Sequence, residues 1–245
     1  MTLDRLIDLL RANLRRDVET LGTFPDTPTG RRTLRRLLDV AEHAPVFFGM
    51  LVEPLMRDDR EVDDVQIITD CARVHLYARV LDDALDENLP LDRRNLLRIQ
   101  PLFWRAVYSL AARYPTLGDA TRALLQCTVD SVEADDERIR PDLWAGKNLH
   151  LLLAPLLLSG DGAIYRAARP GLVALIAMAQ ANEELEQGRI RSSALRDELA
   201  VCVSTWLDDS TISTLRQLGW HHAAARLVAD GGAVLAGLHR IPTTP

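Results

Sequence analysis

The chain has 245 residues, of which 47% are hydrophobic and 26% charged, the balance of a folded globular protein rather than a disordered or fibrous one. Its formal net charge of -6 argues against a broad basic surface and therefore against nucleic-acid binding. The three cysteines, Cys71, Cys127 and Cys202, lie far apart without the close spacing of zinc sites or disulfide frameworks. We interpret them as reduced core residues of a cytoplasmic protein.

No segment of the chain has the pattern of a signal peptide or a membrane span. Residues 1–16 alternate charged residues with leucines and lack a continuous apolar stretch. The most apolar run, residues 149–158, is too short to cross a bilayer and contains Pro155. It is predicted to form a buried helix with a kink.

Apolar residues recur at helical spacing along almost the whole chain, and no convincing alternating strand pattern is present. The sequence therefore predicts an all-α fold. The breaks between segments are short, so residues 1–245 are predicted to form a single domain, a bundle of about ten helices. The predicted helices cover residues 3–20, 30–43, 45–57, 62–86, 91–113, 117–138, 142–158, 162–187, 192–207 and 210–239, the last broken near Gly219.

An acidic motif closes the predicted helix 62–86. Asp82 and Asp86 are one turn apart and Asp83 lies three residues before Asp86, so the carboxylates converge near the negative end of the helix dipole. A solvated helix end is the ordinary alternative. The mostly apolar residues 71–81 before the motif leave almost no polar face, however, and indicate a helix buried nearly all round. Carboxylates on such a helix need cations or hydrogen-bond donors.

Magnesium is a cation that suits this cluster. It prefers oxygen ligands, retains several waters and is commonly held by one or two carboxylates together with phosphate oxygens of a substrate. An Asp-Asp-x-x-Asp cluster at the mouth of an apolar pocket is therefore suited to holding a diphosphate whose hydrocarbon tail occupies the pocket.

The segment Asp82-Asp83-Ala84-Leu85-Asp86 resembles the first aspartate-rich motif of the class I isoprenoid (terpene) synthase superfamily, in the branch of the trans-polyprenyl diphosphate synthases. The squalene and phytoene synthase branch, which shares fold and chemistry, has a similar first motif. The resemblance implies a helical bundle around a central apolar cavity, more than one Mg²⁺ ion and an allylic prenyl diphosphate as substrate. It makes Asp82, Asp83 and Asp86 catalytic, with Asp82 and Asp86 as metal ligands.

Further residues carry the same resemblance. Arg93-Arg94 is similar to an arginine pair that binds diphosphate in the family, and Lys147 opens a segment similar to one that begins with a diphosphate-binding lysine. Tyr77 precedes Asp82 by about one and a half turns, where side chains in this fold often limit the depth of the prenyl tail. Tyr77 is thereby implied to line the pocket.

The second acidic motif of the family is matched less closely. Glu183 and Glu184 fall on its paired aspartates and are implied to bind metal, while Gln180 matches the glutamine before them and is implied to line the pocket. Gln187 takes the place of the last aspartate. A neutral glutamine is a weaker partner for a hard cation, so either Glu186 compensates or this side is degenerate.

These features predict a class I terpene synthase-like enzyme that ionises an allylic prenyl diphosphate with Mg²⁺ and converts the carbocation to a terpene. One alternative is a chain-elongating trans-prenyltransferase, favoured by Lys147 and by Gly30-Arg31-Arg32, which partly matches the family's isopentenyl diphosphate site but lacks its proline. Another is a catalytically reduced helical partner or binding protein, favoured by Gln187. The resemblance leaves a homodimer open.

Overall fold

The computed structural model describes residues 1–56, 62–86, 93–114, 118–136, 138–160 and 162–240, except for the side chains at 62, 63, 85, 86, 118–121, 123, 125 and 136. Every regular element in these ranges is a helix and none is a strand, which confirms the predicted all-α class. The α-helices are α1 (Leu3–Thr20), α2 (Pro28–Val52), α3 (Val62–Asp86), α4 (Arg93–Arg113), α5 (Gly118–Asp136), α6 (Trp144–Lys147), α7 (Leu153–Leu158), α8 (Ala163–Glu186), α9 (Ser193–Trp206), α10 (Asp209–Gln217) and α11 (His221–Arg240).

Within the described ranges, no helix combines the length and apolar character that a bilayer crossing requires. Short 3₁₀ segments cover Glu53–Leu55, Pro141–Leu143 and Leu149–Leu152. The chain groups into two compact units, Met1–Asp119 and Ala120–Pro245, and each is described by itself. The prediction of a single domain stays a prediction.

In the first unit, α3 packs against α1, α2 and α4. The amphipathic pattern of α1 explains its placement, because Leu6, Leu10, Leu14 and Val18 recur at four-residue intervals and are all buried. Burying these side chains removes apolar surface from water, which is the main favourable term for holding the helix against its neighbours.

The prediction of two separate helices at 30–43 and 45–57 was wrong, since α2 is continuous across Pro45. The helix starts at Pro28, a favoured first position, and its N-cap Thr27 accepts a hydrogen bond from the Gly30 amide at 3.0 Å. Pro45 removes one backbone hydrogen bond from the helix. Pro45, Ala41 and Phe48 are buried, so the apolar contacts of this segment offset the lost bond.

In the second unit, α8 packs against α6, α9, α10 and α11. A close approach fixes its crossing with α10, because a Cβ at Gly171 would lie 2.5 Å from the Leu215 side chain. The predicted break near Gly219 is confirmed. Gly219 has φ +92°, a left-handed conformation that favours glycine, and separates α10 from α11.

The prediction of one helix over 142–158 was wrong. The chain leaves the helical conformation at Asn148, continues as a 3₁₀ segment and resumes as α7 at Leu153. This restart places Pro155 in the first turn of α7, where backbone amides have no partner within the helix and a missing N–H group costs little.

Candidate metal and diphosphate site

Helix α3 presents a single exposed side chain in the part that carries the acidic motif. Among its described side chains, residues 64–84, Asp82 alone is exposed, with 47% of the carboxylate side chain accessible. The others are buried or half-buried, which confirms the prediction of a helix buried nearly all round. Asp82 is therefore the carboxylate of the motif that the structure shows to be open to a ligand from solvent.

Asp83 is buried, with 4% of its side chain accessible, and it is held by arginine. Arg36 on α2 donates from Nε to Oδ2 and from Nη2 to Oδ1, the second bond being 3.0 Å long. Arg36 also donates from Nη1 to Asp39 at 2.8 Å. Burial alone lowers the pKa of the Arg36 guanidinium. The hydrogen bonds and charges of Asp83 and Asp39 together raise the pKa by more than burial lowers it, so the net direction is upward. Arg36 is therefore a permanent cation that compensates the buried Asp83.

Arg79 lies between the two aspartates. Its Nη1 donates to Asp82 Oδ2 at 3.0 Å, and its Nη2 is 3.6 Å from Asp83 Oδ1. Both contacts follow from sequence spacing, since residues three and four apart on a helix are neighbours. The contact of Arg36 with Asp83 joins residues 47 apart, and no local pattern in the sequence indicates it.

The third carboxylate of the motif lies outside the described part. Asp86 is the last residue of α3, and its side chain belongs to those that the structure does not describe. No group of three or more His, Cys, Asp or Glu side chains placed to hold a metal occurs among the described residues. The prediction that Asp82 and Asp86 share an ion therefore stays a prediction.

Arg93 and Arg94 form the first turn of α4, and both are exposed. Arg94 lines a pocket between the end of α1 and α4. Tyr77, the predicted pocket residue of α3, is half-buried, and its ring centroid lies 5.0 Å from that of Phe103 on α4. Tyr77 does not line the pocket beside Arg94, and its predicted place in a prenyl cavity is untested.

The second acidic motif lies at the end of α8, where Glu184 is buried and already bonded. Gln180 Nε2 donates to Glu184 Oε1 at 2.8 Å, and Arg189 Nη1 donates to the same oxygen at 3.3 Å. Asn148 Nδ2 in turn donates to Gln180 Oε1 at 3.5 Å. Gln180 therefore orients Glu184, and a metal ion at Glu184 would have to exchange with the Arg189 contact.

Glu183 is half-buried one position earlier and accepts a hydrogen bond of 3.3 Å from Gln187 Nε2. Lys147 is bonded as well, because its Nζ donates to Asp135 Oδ2 at 2.8 Å. Asp135 also accepts from the Arg140 amide at 2.7 Å, which fixes the carboxylate. Lys147 is therefore neutralised by a neighbour, and diphosphate binding at this lysine would compete with that pair.

A buried polar network that the sequence analysis missed holds α3 at Asp70 and Arg73, before the acidic motif. Arg73 donates from Nε and Nη2 to Asp17 at 2.7 and 3.0 Å and from Nη1 to Asp70 at 2.5 Å. Ser109 donates to the other oxygen of Asp70 at 2.6 Å. The three charged side chains are nine-tenths or more buried, and because their bonds join α1, α3 and α4, the network fixes the position of α3.

Comparisons with protein-family models, with curated proteins and with solved structures returned no match to the chain.

Proposed function

We propose that the protein is a class I terpene synthase-like enzyme that ionises an allylic prenyl diphosphate with the help of magnesium. The observation that carries the proposal is the solvent-open Asp82 on an otherwise covered α3, beside the arginine-held Asp83. Polar groups in such a covered helix are costly unless they are bonded, so an acidic pair at its end calls for cationic partners. Arg36 and Arg79 are such partners within the chain, but the exposed contact of Asp82 with Arg79 can be exchanged, which favours a ligand-binding role for Asp82 over a simple solvated helix end.

The available donors fit magnesium in their chemistry. Asp82 and Glu183 offer carboxylate oxygens, and magnesium needs only one or two carboxylates because it keeps several of its waters. Asp83 is buried and bonded to Arg36, so it is better suited to orienting the first motif than to direct coordination, whereas a metal at Glu184 would displace the contact with Arg189. Magnesium, when bound, would neutralise the negative charge that develops on the departing diphosphate.

The chain itself has two proposed tasks, binding the metal and binding the diphosphate. Asp82 and Asp86 bind the metal in the first unit, and Glu183 and Glu184 have the same proposed task in the second. Arg93, Arg94 and Lys147 bind diphosphate oxygens through charge-assisted hydrogen bonds.

A specific observation favours a second candidate, a catalytically reduced helical binding protein. Lys147 is paired with Asp135 and Glu184 with Arg189, so two predicted ligand-binding side chains of the second unit are satisfied within the protein itself. Gln187 also lacks the charge of the aspartate it replaces. A protein with these pairs intact would bind prenyl compounds or a partner without turnover.

The deciding experiment is incubation with allylic diphosphates of several chain lengths and magnesium, with and without isopentenyl diphosphate, followed by assay of released diphosphate and extraction of products. We expect release without isopentenyl diphosphate, organic-soluble products, and loss of release on addition of a chelator. Asp82→Asn and Asp86→Asn should abolish release while far-UV circular dichroism is unchanged.

Asp8→Asn is the matched control, because Asp8 is also exposed and is paired with Arg11 at a spacing of three residues on a helix. It should leave release unchanged. Retained release in Asp82→Asn would refute the metal site. Longer diphosphates formed only with isopentenyl diphosphate would identify an elongating enzyme, and a complete lack of turnover would favour the binding protein.

A further inference from the structure

A pocket of about 490 Å³ lies between the end of α1 and the first four turns of α4. Three arginines on one face of α4 line it, Arg94, Arg98 and Arg105. Arg94 and Arg98 lie on neighbouring turns, and Arg105 lies about two turns beyond Arg98. Leu97 and Pro101 of α4 and Leu21 after α1 supply apolar walls. The pocket thus combines a row of guanidinium groups with a hydrocarbon surface.

Arg98 is held in place without a carboxylate partner among the described residues. Its Nη1 donates to the Leu21 carbonyl at 3.2 Å, and the guanidinium lies 5.5 Å from the centroid of the Phe24 ring. Its Nε is buried and makes no hydrogen bond within the described part of the protein. The charge of Arg98 is therefore fixed in position and not neutralised by these contacts.

Arg105 is only weakly compensated. Its Nη1 lies 3.5 Å from Asp17 Oδ1, but Asp17 already accepts two shorter bonds from Arg73. Arg73 in turn shares Asp70. The carboxylates of Asp17 and Asp70 thus serve two guanidinium groups, those of Arg73 and Arg105. Among the described contacts, Arg94 and Arg98 form no ion pair.

We propose that this pocket binds a small organic phosphate that carries an apolar group, and that it does so without a metal ion. Guanidinium forks match phosphate oxygens in bidentate geometry, and a row of them stabilises a dianion. The apolar walls at Leu97 and Pro101 contact the ligand's hydrocarbon part. This binding mode differs from that proposed for Asp82, where carboxylates require a cation to hold a phosphate. Arg94 belongs to both proposals, whereas Arg98 and Arg105 belong to this one alone.

The test is isothermal titration calorimetry with inorganic phosphate and with pentyl phosphate, in EDTA to exclude divalent ions. We expect pentyl phosphate to bind at least tenfold more tightly than inorganic phosphate, and affinity to fall as salt is raised. Arg98→Gln and Arg94→Gln should each weaken binding about tenfold or more, as expected for loss of a charge-assisted hydrogen bond of about 1.5 to 3 kcal/mol. Leu97→Ser should reduce the advantage of pentyl phosphate over inorganic phosphate.

Arg113→Gln is the matched control, because Arg113 is exposed in the last turn of the same helix and does not line the pocket. It should bind both ligands as the unmodified protein does. Arg94→Gln keeps the test decisive if Arg98→Gln fails to fold, since the Arg94 side chain is exposed. Equal weakening in Arg94→Gln and Arg113→Gln would overturn the proposal, as would binding that appears only with magnesium and is lost in Asp82→Asn.

Discussion

Replacing Arg36 with glutamine removes the cationic partner of a buried carboxylate, and we expect it to destabilise the protein by about 2 to 3 kcal/mol. Breaking a buried ion pair by removing one partner costs about 3 to 5 kcal/mol. A smaller loss is expected here because 28% of the Arg36 side chain is accessible to solvent, and Arg79 Nη2 remains 3.6 Å from Asp83. The loss should appear in urea unfolding followed by far-UV circular dichroism. A fall in melting temperature of about 4 to 12 °C should accompany it.

Arg31→Gln is the control for this prediction, because Arg31 lies on the same helix and is also paired with an aspartate, Asp26. That pair is at the surface, with 58% and 90% of the two side chains accessible, and surface pairs contribute about 0 to 1 kcal/mol. The double variant Arg36→Gln with Asp83→Asn should lose less free energy of unfolding than the sum of the two single variants. Once one partner has been replaced, replacing the other breaks no further ion pair. Equal effects of Arg36→Gln and Arg31→Gln, or strict additivity in the cycle, would refute a buried, coupled pair.

Three further predictions follow from close contacts, backbone conformation and burial. Gly146→Ala should destabilise the protein by about 1 to 3 kcal/mol in urea unfolding, since its Cβ would lie 1.9 Å from Ser131 Oγ, and Ser131→Gly should restore most of the loss. Gly219→Ala should cost about 1 kcal/mol in the same assay because of its positive φ, and an unchanged midpoint would contradict the left-handed conformation. Cys127 was predicted to lie in the core, which was wrong: it is exposed and should react with a thiol reagent in the native protein. Cys71 should react only on unfolding, because burial raises the pKa of its thiol, and rapid labelling of both would contradict this.

The sequence predicts α3 and its burial well, for a local reason. The mostly apolar run at residues 71–81 indicates a buried helix, and the described side chains of α3 are buried or half-buried except for Asp82. The break at Gly219 is likewise a local signal, since glycine tolerates the left-handed conformation that ends α10. Both predictions rest on interactions within a few residues.

The two errors in helix boundaries arise where tertiary packing outweighs a local preference. Pro45 is a helix breaker by its chemistry, but its burial within α2 compensates for one missing hydrogen bond. Asn148 carries no breaking signal comparable to proline, yet the helix ends there and resumes so that Pro155 falls in a first turn. In neither case does the local preference of the residue alone decide where the helix ends.

The acidic motif shows the same difference between what the local sequence indicates and what the folded structure adds. Aspartates at the carboxyl end of a helix are unfavourable because they repel one another and face the negative end of the dipole, and this argument alone calls for a cation. The structure supplies two cations from the chain: Arg36 neutralises the buried Asp83, and Arg79 contacts the exposed Asp82. The pair at Asp83 is enclosed, so it is a part of the fold, whereas the pair at Asp82 is open and can be exchanged. A metal ion under the proposed function therefore competes with Arg79 for Asp82 and leaves Arg36 in place. The motif can thus be stable without metal and still bind it.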